Sequence, residues 1–227
     1  MIPVPVIEDV GGIAVVRDDL IAGGTKRRVL PDLLVGAEEF VYATAAYGYA
    51  QVALAYACAA CGKRATVFTA KRAVPHPRTA EARAAGAKVV MVPHGYLSNV
   101  QAKARAYADA TGAVLLPFGF DTPAFVAALA EVATALPIRP AEVWTVAGSG
   151  TLTRALQRAW PDAAFHAVRI GAVPDAGNAR LYTAPEPFER DAKRPPPFPS
   201  CGNYDAKAWR FITAHASPGA LFWNVAA

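Results

Sequence analysis

An α/β fold built on parallel sheets is what this sequence predicts, and three observations carry it. From Phe40 to Ile170, short apolar runs rich in β-branched residues alternate with stretches of helical periodicity, the pattern of parallel strands joined by covering helices. A run of small residues, Ala147-Gly148-Ser149-Gly150-Thr151-Leu152, joins one such strand to the helix after it. Finally, 54% of the 227 residues are hydrophobic against 18% charged, enough apolar material for one large domain or two small lobes.

In order, residues 13–18 (Ile-Ala-Val-Val-Arg-Asp) read as the first strand and Gly23-Gly24-Thr25 as a turn. A helix starts at Lys26-Arg27-Arg28-Val29-Leu30, where Pro31 has to kink or offset it. Strand 40–44 precedes helix 51–60, for which Gly62 is the expected C-cap. Strand 65–69, helix 78–85 before Gly86, and strand 88–92 follow. Ser98 is the expected N-cap of helix 98–110. Strand 113–117 and helix 122–136 lead to strand 142–146, and the helix after the small-residue turn runs to Trp160, stopped by Pro161. Residues 165–170 are a further strand. Between Ala172 and Ser200 the alternation breaks. Pro174, Pro185, Pro187 and the run Pro195-Pro196-Pro197-Phe198-Pro199 predict a long irregular connection, whether lid, partner-contact loop or extended wrap. A helix over 205–215 and a strand over 220–225 close the pattern, and no internal repeat is visible.

Several function classes are disfavoured by the same reading. No apolar run reaches membrane-spanning length without a Lys, Arg, Asp or Gly inside it, so no membrane partner is expected. The opening Met1-Ile2-Pro3-Val4-Pro5 lacks the charged-then-apolar layout of a signal peptide, which makes the cytoplasm the expected compartment. Three cysteines give no disulfide framework; Cys58 and Cys61 form a C-x-x-C inside an Ala-rich helix with no second ligand pair, and read as buried or half-buried thiols, with no metal site expected. A net charge of +5 favours an anionic partner: a phosphate cofactor, a carboxylate substrate or nucleic acid. No basic block or aromatic-interleaved basic stripe stands out along the chain, so nucleic acid is permitted rather than indicated.

Chemistry concentrates at three places. Small residues at Gly148-Ser149-Gly150-Thr151 let backbone N–H groups converge on an oxyanion at a helix start, which makes a phosphate seat the first expectation and an ordinary tight turn the alternative. Lys26, just after Gly23-Gly24 and beside Arg27 and Arg28, sits where neighbouring positive charge favours the neutral amine needed for a Schiff base, although a surface lysine in a basic cluster has the same appearance. Asp205 opens the last helix, as a cap or as a functional carboxylate. Two rivals share these stretches. Residues 15–25, with Asp18, Asp19 and Gly23-Gly24-Thr25, are similar to the phosphoribosyl-pyrophosphate loop of phosphoribosyltransferases, which normally follows several strands rather than beginning within the first twenty residues. A dinucleotide fingerprint at the Gly-Ser-Gly turn would need a third glycine where Thr153 stands.

A lysine after Gly-Gly, a Gly/Ser/Thr loop after a later strand, and Tyr204-x-x-Lys207-Ala208 near the end occur here in an order that resembles the fold-type II pyridoxal-phosphate enzymes, the tryptophan synthase β family. The branch that looks nearest contains aminocyclopropane-carboxylate deaminase and D-cysteine desulfhydrase. The resemblance implies a shortened, two-lobed parallel-sheet fold: residues 1–37 and 116–227 as the large cofactor-binding lobe, residues 38–115 as a small α/β lobe, and the site between them. It implies pyridoxal 5'-phosphate as cofactor, held by Lys26 as a Schiff base and by Gly148, Ser149, Gly150, Thr151 and Leu152 at its phosphate. Arg17-Asp18-Asp19 with Gly23-Gly24-Thr25-Lys26 looks like that branch's R-x-D…GGNK segment, and Tyr204-Asp205 like its Tyr-Glu pair, the ring packing by the cofactor and the acid facing the pyridine nitrogen. An acid at that nitrogen favours a quinonoid carbanion at Cα of an amino-acid-like substrate, hence a lyase of deaminase or decarboxylase type.

Three departures shape the expectation. Where the family usually has an Asn in the loop after its third strand, this chain has Thr44-Ala45-Ala46-Tyr47-Gly48-Tyr49-Ala50-Gln51, so Tyr47 is expected at cofactor or substrate, and Thr44, Tyr49 and Gln51 at substrate. The family is commonly longer, and the Asn before its lysine is Thr25 here. A trimmed scaffold with an altered substrate loop suggests an open site and a bulky substrate. Small pyridoxal-phosphate enzymes of this type serve phages that hypermodify thymine, so decarboxylation of an amino acid carried on DNA is one expected activity. A homodimer is compatible with the resemblance, and a non-catalytic degenerate binding protein is the contrasting class.

Overall fold

In the computed structural model, residues 2–93, 96–172 and 174–227 are described. The chain order is β1 (Ile7–Val10), β2 (Ile13–Arg17), α1 (Gly24–Arg27), α2 (Leu30–Leu33), β3 (Glu39–Thr44), α3 (Ala50–Ala60), β4 (Arg64–Ala70), α4 (Pro77–Ala84), β5 (Lys88–Val92), α5 (Leu97–Thr111), β6 (Val114–Leu115), α6 (Pro123–Thr134), β7 (Glu142–Ala147), α7 (Thr151–Ala159), β8 (Ala164–Arg169), β9 (Arg180–Thr183), α8 (Trp209–His215) and β10 (Leu221–Asn224). Short 3₁₀ turns occupy Asp18–Leu20, Phe118–Phe120 and Asp205–Ala208. Two compact units result: residues up to Gly24 together with Asp121–Ala227, and Thr25–Phe120.

The first unit is a six-stranded sheet in the order β1-β2-β10-β7-β8-β9, parallel throughout except for β1, which runs antiparallel to β2. Its inner strands are buried as parallel strands must be: Val15, Trp144, Val146, Val168 and Phe222 share one cluster, and Val16, Val143, Phe165, Leu221 and Trp223 another. The alternation of Val15 with Val16, and of Phe222 with Leu221 and Trp223, sends neighbouring side chains to opposite faces, so each strand feeds both clusters. The closing strand β10 lies between β2 and β7, with Trp223 opposite Val16 and Asn224 opposite Arg17. Polar contacts lock that insertion: Trp223 Nε1 donates to Asp18 Oδ2 at 3.0 Å, and Asn224 Nδ2 donates to Asp19 Oδ1 at 2.8 Å. Arg17 reaches Asp19 through both Nε (2.8 Å) and Nη2 (2.7 Å) and also pairs with Glu8 on β1. The hydrogen bonds and charge of Asp19 outweigh the burial of Arg17 and raise its pKa.

The second unit is a four-stranded, all-parallel sheet in the order β5-β4-β3-β6. All six residues of β3 are buried, and the Val41, Ala43, Phe68 and Val92 face packs on Val100, Ala104 and Ala108 of α5. Glu39, buried at the start of β3, ties three elements: its carboxylate accepts from Thr66 Oγ1 on β4 (2.6 Å) and Tyr107 OH on α5 (2.8 Å), and Arg64 approaches at 3.3 Å.

The predicted alternation of strands and helices is present, with four differences. Pro31 does not kink one helix; it opens a second, α2, after α1 has ended at Arg27, because a proline is welcome in a first turn and nowhere later. Helix α5 begins at Leu97 after Tyr96, so Ser98 lies inside it and is not its cap. Strands β1 and β9 were not foreseen. Both are short edge strands of polar or mixed residues (Ile-Glu-Asp-Val and Arg-Leu-Tyr-Thr), without the apolar run by which buried strands announce themselves. The 172–200 connection therefore contains β9 and is anchored further on. Lys207, fully buried, donates to Pro187 O (2.8 Å) and Glu186 O (3.4 Å), and its burial lowers its pKa against the opposing pull of Glu186, Asp191 and Glu189. The segment predicted as one helix over 205–215 starts as a 3₁₀ turn before α8. Cys58 is buried and Cys61 half-buried, as expected; among the described residues none of the three cysteines is in a disulfide, and burial pushes Cys58 up to about 12.

Burial alone would raise the Glu39 pKa, but the bonds from Thr66, Tyr107 and Arg64 overcome it and hold the carboxyl low. A carboxyl lowered on folding stabilises above its unfolded pKa, and that contribution disappears as pH falls through its folded pKa. Glu39→Gln should therefore be less stable than the parent at neutral pH. The gap should narrow as pH drops through the carboxylate range, as followed by thermal melts at a series of pH values.

Candidate active site

Two groups of predicted residues are assembled, one in each unit. In the first unit, β7 ends at Ala147 and α7 starts at Thr151, so Gly148-Ser149-Gly150 form the turn between them. Gly150 sits at the N-cap in the left-handed region, φ +83°, and a Cβ there would lie 1.9 Å from the Asp175 carbonyl oxygen. No side chain fits, and the conformation itself favours glycine. The 175–177 segment is held against α7 by Arg154, which bonds the Asp175 carbonyl, contacts its carboxylate at 3.1 Å and also pairs with Asp121, and by Gln157 Nε2 to Ala176 O at 2.9 Å. Ser149 Oγ and Thr151 Oγ1 lie 2.8 Å apart, and Ser149 Oγ accepts from the Thr151 amide at 3.4 Å. Among the described residues, the amides of Ser149 and Gly150 enter no hydrogen bond. Two amides, two hydroxyls and the start of a nine-residue helix, with glycine on both sides of Ser149, suit a phosphate group. Leu152 is half-buried in the first turn of α7 and packs into the second cluster of this unit.

Tyr204 joins this turn. Its hydroxyl accepts from Gly148 N at 2.8 Å and donates to Val146 O at 3.2 Å, and a Cβ at Gly148 would come within 3.3 Å of it. One amide of the turn is thus taken by a tyrosine. The next residue, Asp205, is fully buried at the head of the 3₁₀ turn.

In the second unit, Lys26 is half-buried in α1. Its ammonium donates to Gly119 O at 2.9 Å and lies 5.4 Å from the centre of the Phe120 ring. The Phe118–Phe120 turn that presents this carbonyl carries two consecutive positive φ angles, Gly119 at +73° and Phe120 at +58°, the latter uncommon for a residue with a side chain. Tyr42 supports the turn: its hydroxyl accepts from Gly119 N at 3.2 Å and its ring packs 4.8 Å from Phe120. Burial pushes Tyr42 up to about 12, the Gly119 bond pulling the other way, so it stays a neutral phenol.

The expected substrate residues share the turn between β3 and α3. Thr44 is buried and bonds Ala45 O at 3.0 Å, and a Cβ at Gly48 would meet Thr44 Oγ1 at 2.5 Å. Gln51 is fully buried and gives its Nε2 to Ala46 O and Gly48 O, each at 2.9 Å, so it shapes the turn from beneath. Tyr47 and Tyr49 are half-buried above it. Residues of the next loop, unmarked in the sequence reading, join them: Arg72 Nη2 donates to Tyr47 OH at 2.9 Å, His76 lies edge-on to Tyr47 with ring centres 4.6 Å apart, and Arg78 covers Tyr49 at 4.4 Å. Arg17, Asp18 and Asp19, read as a possible phosphoribosyl loop or family motif, are engaged with Glu8, Trp223 and Asn224 in the β2–β10 lock.

A family model described as "Pyridoxal-phosphate dependent enzyme" matches residues 23–216, from the Gly-Gly turn to the end of α8. The chain belongs to the pyridoxal-phosphate-dependent enzyme family. Its cofactor is pyridoxal 5'-phosphate, and its fold is the fold-type II, tryptophan synthase β arrangement in a short form. No curated protein sequence matches it. Solved structures similar in fold include an ACC deaminase homologue (TM-score 0.76, 13% identity, 94% of this chain and 84% of that one). Threonine deaminase isoform 2 from Solanum lycopersicum is similar over 95% of this chain and 75% of that one (TM-score 0.70, 13% identity), and an O-ureido-L-serine synthase over 95% and 84% (TM-score 0.71, 18% identity). Among the described residues, no helix is long and apolar enough to cross a membrane, and no group of three His, Cys, Asp or Glu is arranged to hold a metal ion.

Two substitutions probe the phosphate turn. Gly150→Ala should destabilise by more than about 1 kcal/mol, from the left-handed backbone and the clash with Asp175 O, and weaken cofactor retention, as read by urea denaturation and cofactor release. Tyr204→Phe should cost about 1 kcal/mol and speed hydrogen exchange at the Gly148 amide. Unchanged exchange there would contradict the Tyr204–Gly148 bond.

Proposed function

We propose that this chain is a lyase that uses pyridoxal 5'-phosphate to break a bond at Cα of an amino-acid-like substrate, in a deamination or decarboxylation. The observation that carries this reading is the coupling of the Gly148–Thr151 turn to Tyr204, which brings the fully buried carboxylate-bearing residue Asp205 next in sequence to a group bonded to the phosphate seat.

In this reading Gly148, Ser149, Gly150, Thr151 and Leu152 hold the phosphate through amides, hydroxyls and the helix start. Asp205, shielded from water, would hold a proton on the pyridine nitrogen; burial strengthens such a charge interaction because little solvent competes with it. Bound pyridoxal phosphate supplies an electron sink for the bond that breaks. Lys26 would hold the cofactor aldehyde and would carry a proton at Cα. Its present partner, the Gly119 carbonyl, accepts one hydrogen bond from the ammonium and gives the side chain a defined resting position. Tyr204 acts through the turn it braces, and Thr44 and Gln51 fix the Tyr47–Tyr49 loop that meets the substrate. An amino acid carried on a thymine base of DNA is one substrate this reading includes, and the net charge of +5 suits it.

Purified protein should be yellow, and borohydride should fix the cofactor mass on the peptide containing Lys26. Lys26→Ala should lower turnover by roughly 100-fold or more, and Asp205→Asn should depress turnover while leaving the cofactor bound. Release of carbon dioxide from an amino-acid-bearing thymine in DNA is to be compared with release of ammonia from free amino acids; activity on free amino acids alone would remove the DNA form of the proposal. Cofactor fixed on another lysine, such as the buried Lys207, would overturn the assignment.

A further inference from the structure

The loop after β4 has an unusual charge pattern. From Ala65 to Ala80 there is no Asp or Glu, while Lys71, Arg72, His76 and Arg78 fall within eight residues. This loop leaves the carboxyl end of β4, and the Tyr47–Tyr49 turn leaves the carboxyl end of β3, its parallel neighbour. Ligands of open parallel sheets gather at that end of the strands. The fold stacks the two loops into one surface: Arg72 lies over the Tyr47 ring (4.9 Å) and bonds its hydroxyl, His76 meets the Tyr47 edge and caps α4 by accepting the Arg78 amide at 3.2 Å, and Arg78 lies over Tyr49.

Arg72 is exposed; among the described residues it bonds to and stacks on Tyr47, and no carboxylate pairs with it. Arg78 pairs with Glu81 at 3.7 Å, one turn along its own helix. A guanidinium stacked on one ring and bonded at one corner is oriented in advance, so little freedom is lost when its remaining N–H groups meet an anion. Two guanidinium groups exceed the single charge of a carboxylate and match a phosphate, which has more charge and more acceptor oxygens.

We infer that Arg72, His76 and Arg78, braced by Tyr47 and Tyr49, select a substrate that carries a phosphate ester in addition to its amino-acid head. This rests on the function proposed above, since it assigns the specificity of the same substrate loop. The phosphate ester is either that of a small phosphorylated amino acid or the phosphodiester of a nucleic acid strand bearing the amino acid.

The test is calorimetric binding of L-serine and O-phospho-L-serine to the cofactor-loaded full chain, repeated with Arg72→Gln and with Arg105→Gln, an exposed arginine on α5, as control. The phosphorylated ligand should bind about tenfold tighter or more; Arg72→Gln should abolish most of that advantage and Arg105→Gln should leave it. A single-stranded thymidine oligonucleotide that displaces O-phospho-L-serine, with affinity falling as salt rises, assigns the site to a strand phosphodiester; failure to displace assigns it to a small phosphate ester. Equal affinity for the two serines in loaded protein overturns the inference and leaves the lyase reading standing, as does a preference untouched by Arg72→Gln combined with Arg78→Gln. Protein that takes up no cofactor yet keeps the Arg72-dependent preference overturns the lyase reading instead.

Discussion

The first unit depends on one long-range pairing: the closing strand β10 enters between β2 and β7 and bonds to residues more than two hundred positions away. Burying Asp18 and Asp19 among apolar strands would be costly for unaccompanied carboxylates. Each therefore has a donor from β10, and Asp19 has the two-pronged guanidinium of Arg17 as well. With β2, β10 and β7 parallel and adjacent, the carboxyl ends of all three fall on one edge of the sheet, where the turn after β7 gathers its amides. Removing β10 would leave Asp18 and Asp19 buried without these donors and open the sheet at its centre.

On that frame, the Gly148–Thr151 turn is fixed by contacts from its neighbours. The Asp175 carbonyl occupies the space where a side chain at position 150 would be, and Arg154 and Gln157 hold the segment there. Tyr204 secures the opposite side by taking the Gly148 amide. The turn is consequently pre-shaped, and its remaining amides and hydroxyls need little rearrangement to meet an anion. The second unit uses the same device at smaller scale: Gln51 gives its amide group to two carbonyls of the Ala46–Gly48 turn, beneath the half-buried Tyr47 and Tyr49.

Legibility in the sequence followed burial. Strands β3, β4, β7 and β8 are buried on both faces, so their apolar runs are visible by inspection, and the Gly-Ser-Gly turn is visible because few residues fit such a bend. Edge strands β1 and β9 have one neighbour each and no apolar run, and could not be distinguished from loop. Lys26, Tyr204 and Asp205 were recognisable only by their order along the chain. What Tyr204 does, hydrogen-bonding the turn backbone from fifty-six residues away, has no local signature. The basic, aromatic surface on the second unit was invisible for the same reason: Tyr47 and Arg72 are twenty-five residues apart, and no stripe exists until two parallel strands bring them together.

By itself the sequence determined the α/β class, the small-residue strand-turn-helix at Gly148–Thr151 and the place of the lysine after Gly-Gly, because each is written in residues close together, where backbone sterics and periodicity act. The tertiary structure alone decided that Arg17, Asp18 and Asp19 serve to lock β10, that Tyr204 braces the Gly148–Thr151 turn, and that two loops share one basic surface. Those outcomes depend on which strands become neighbours, and strand order is set by the burial of whole faces rather than by any short stretch of chain.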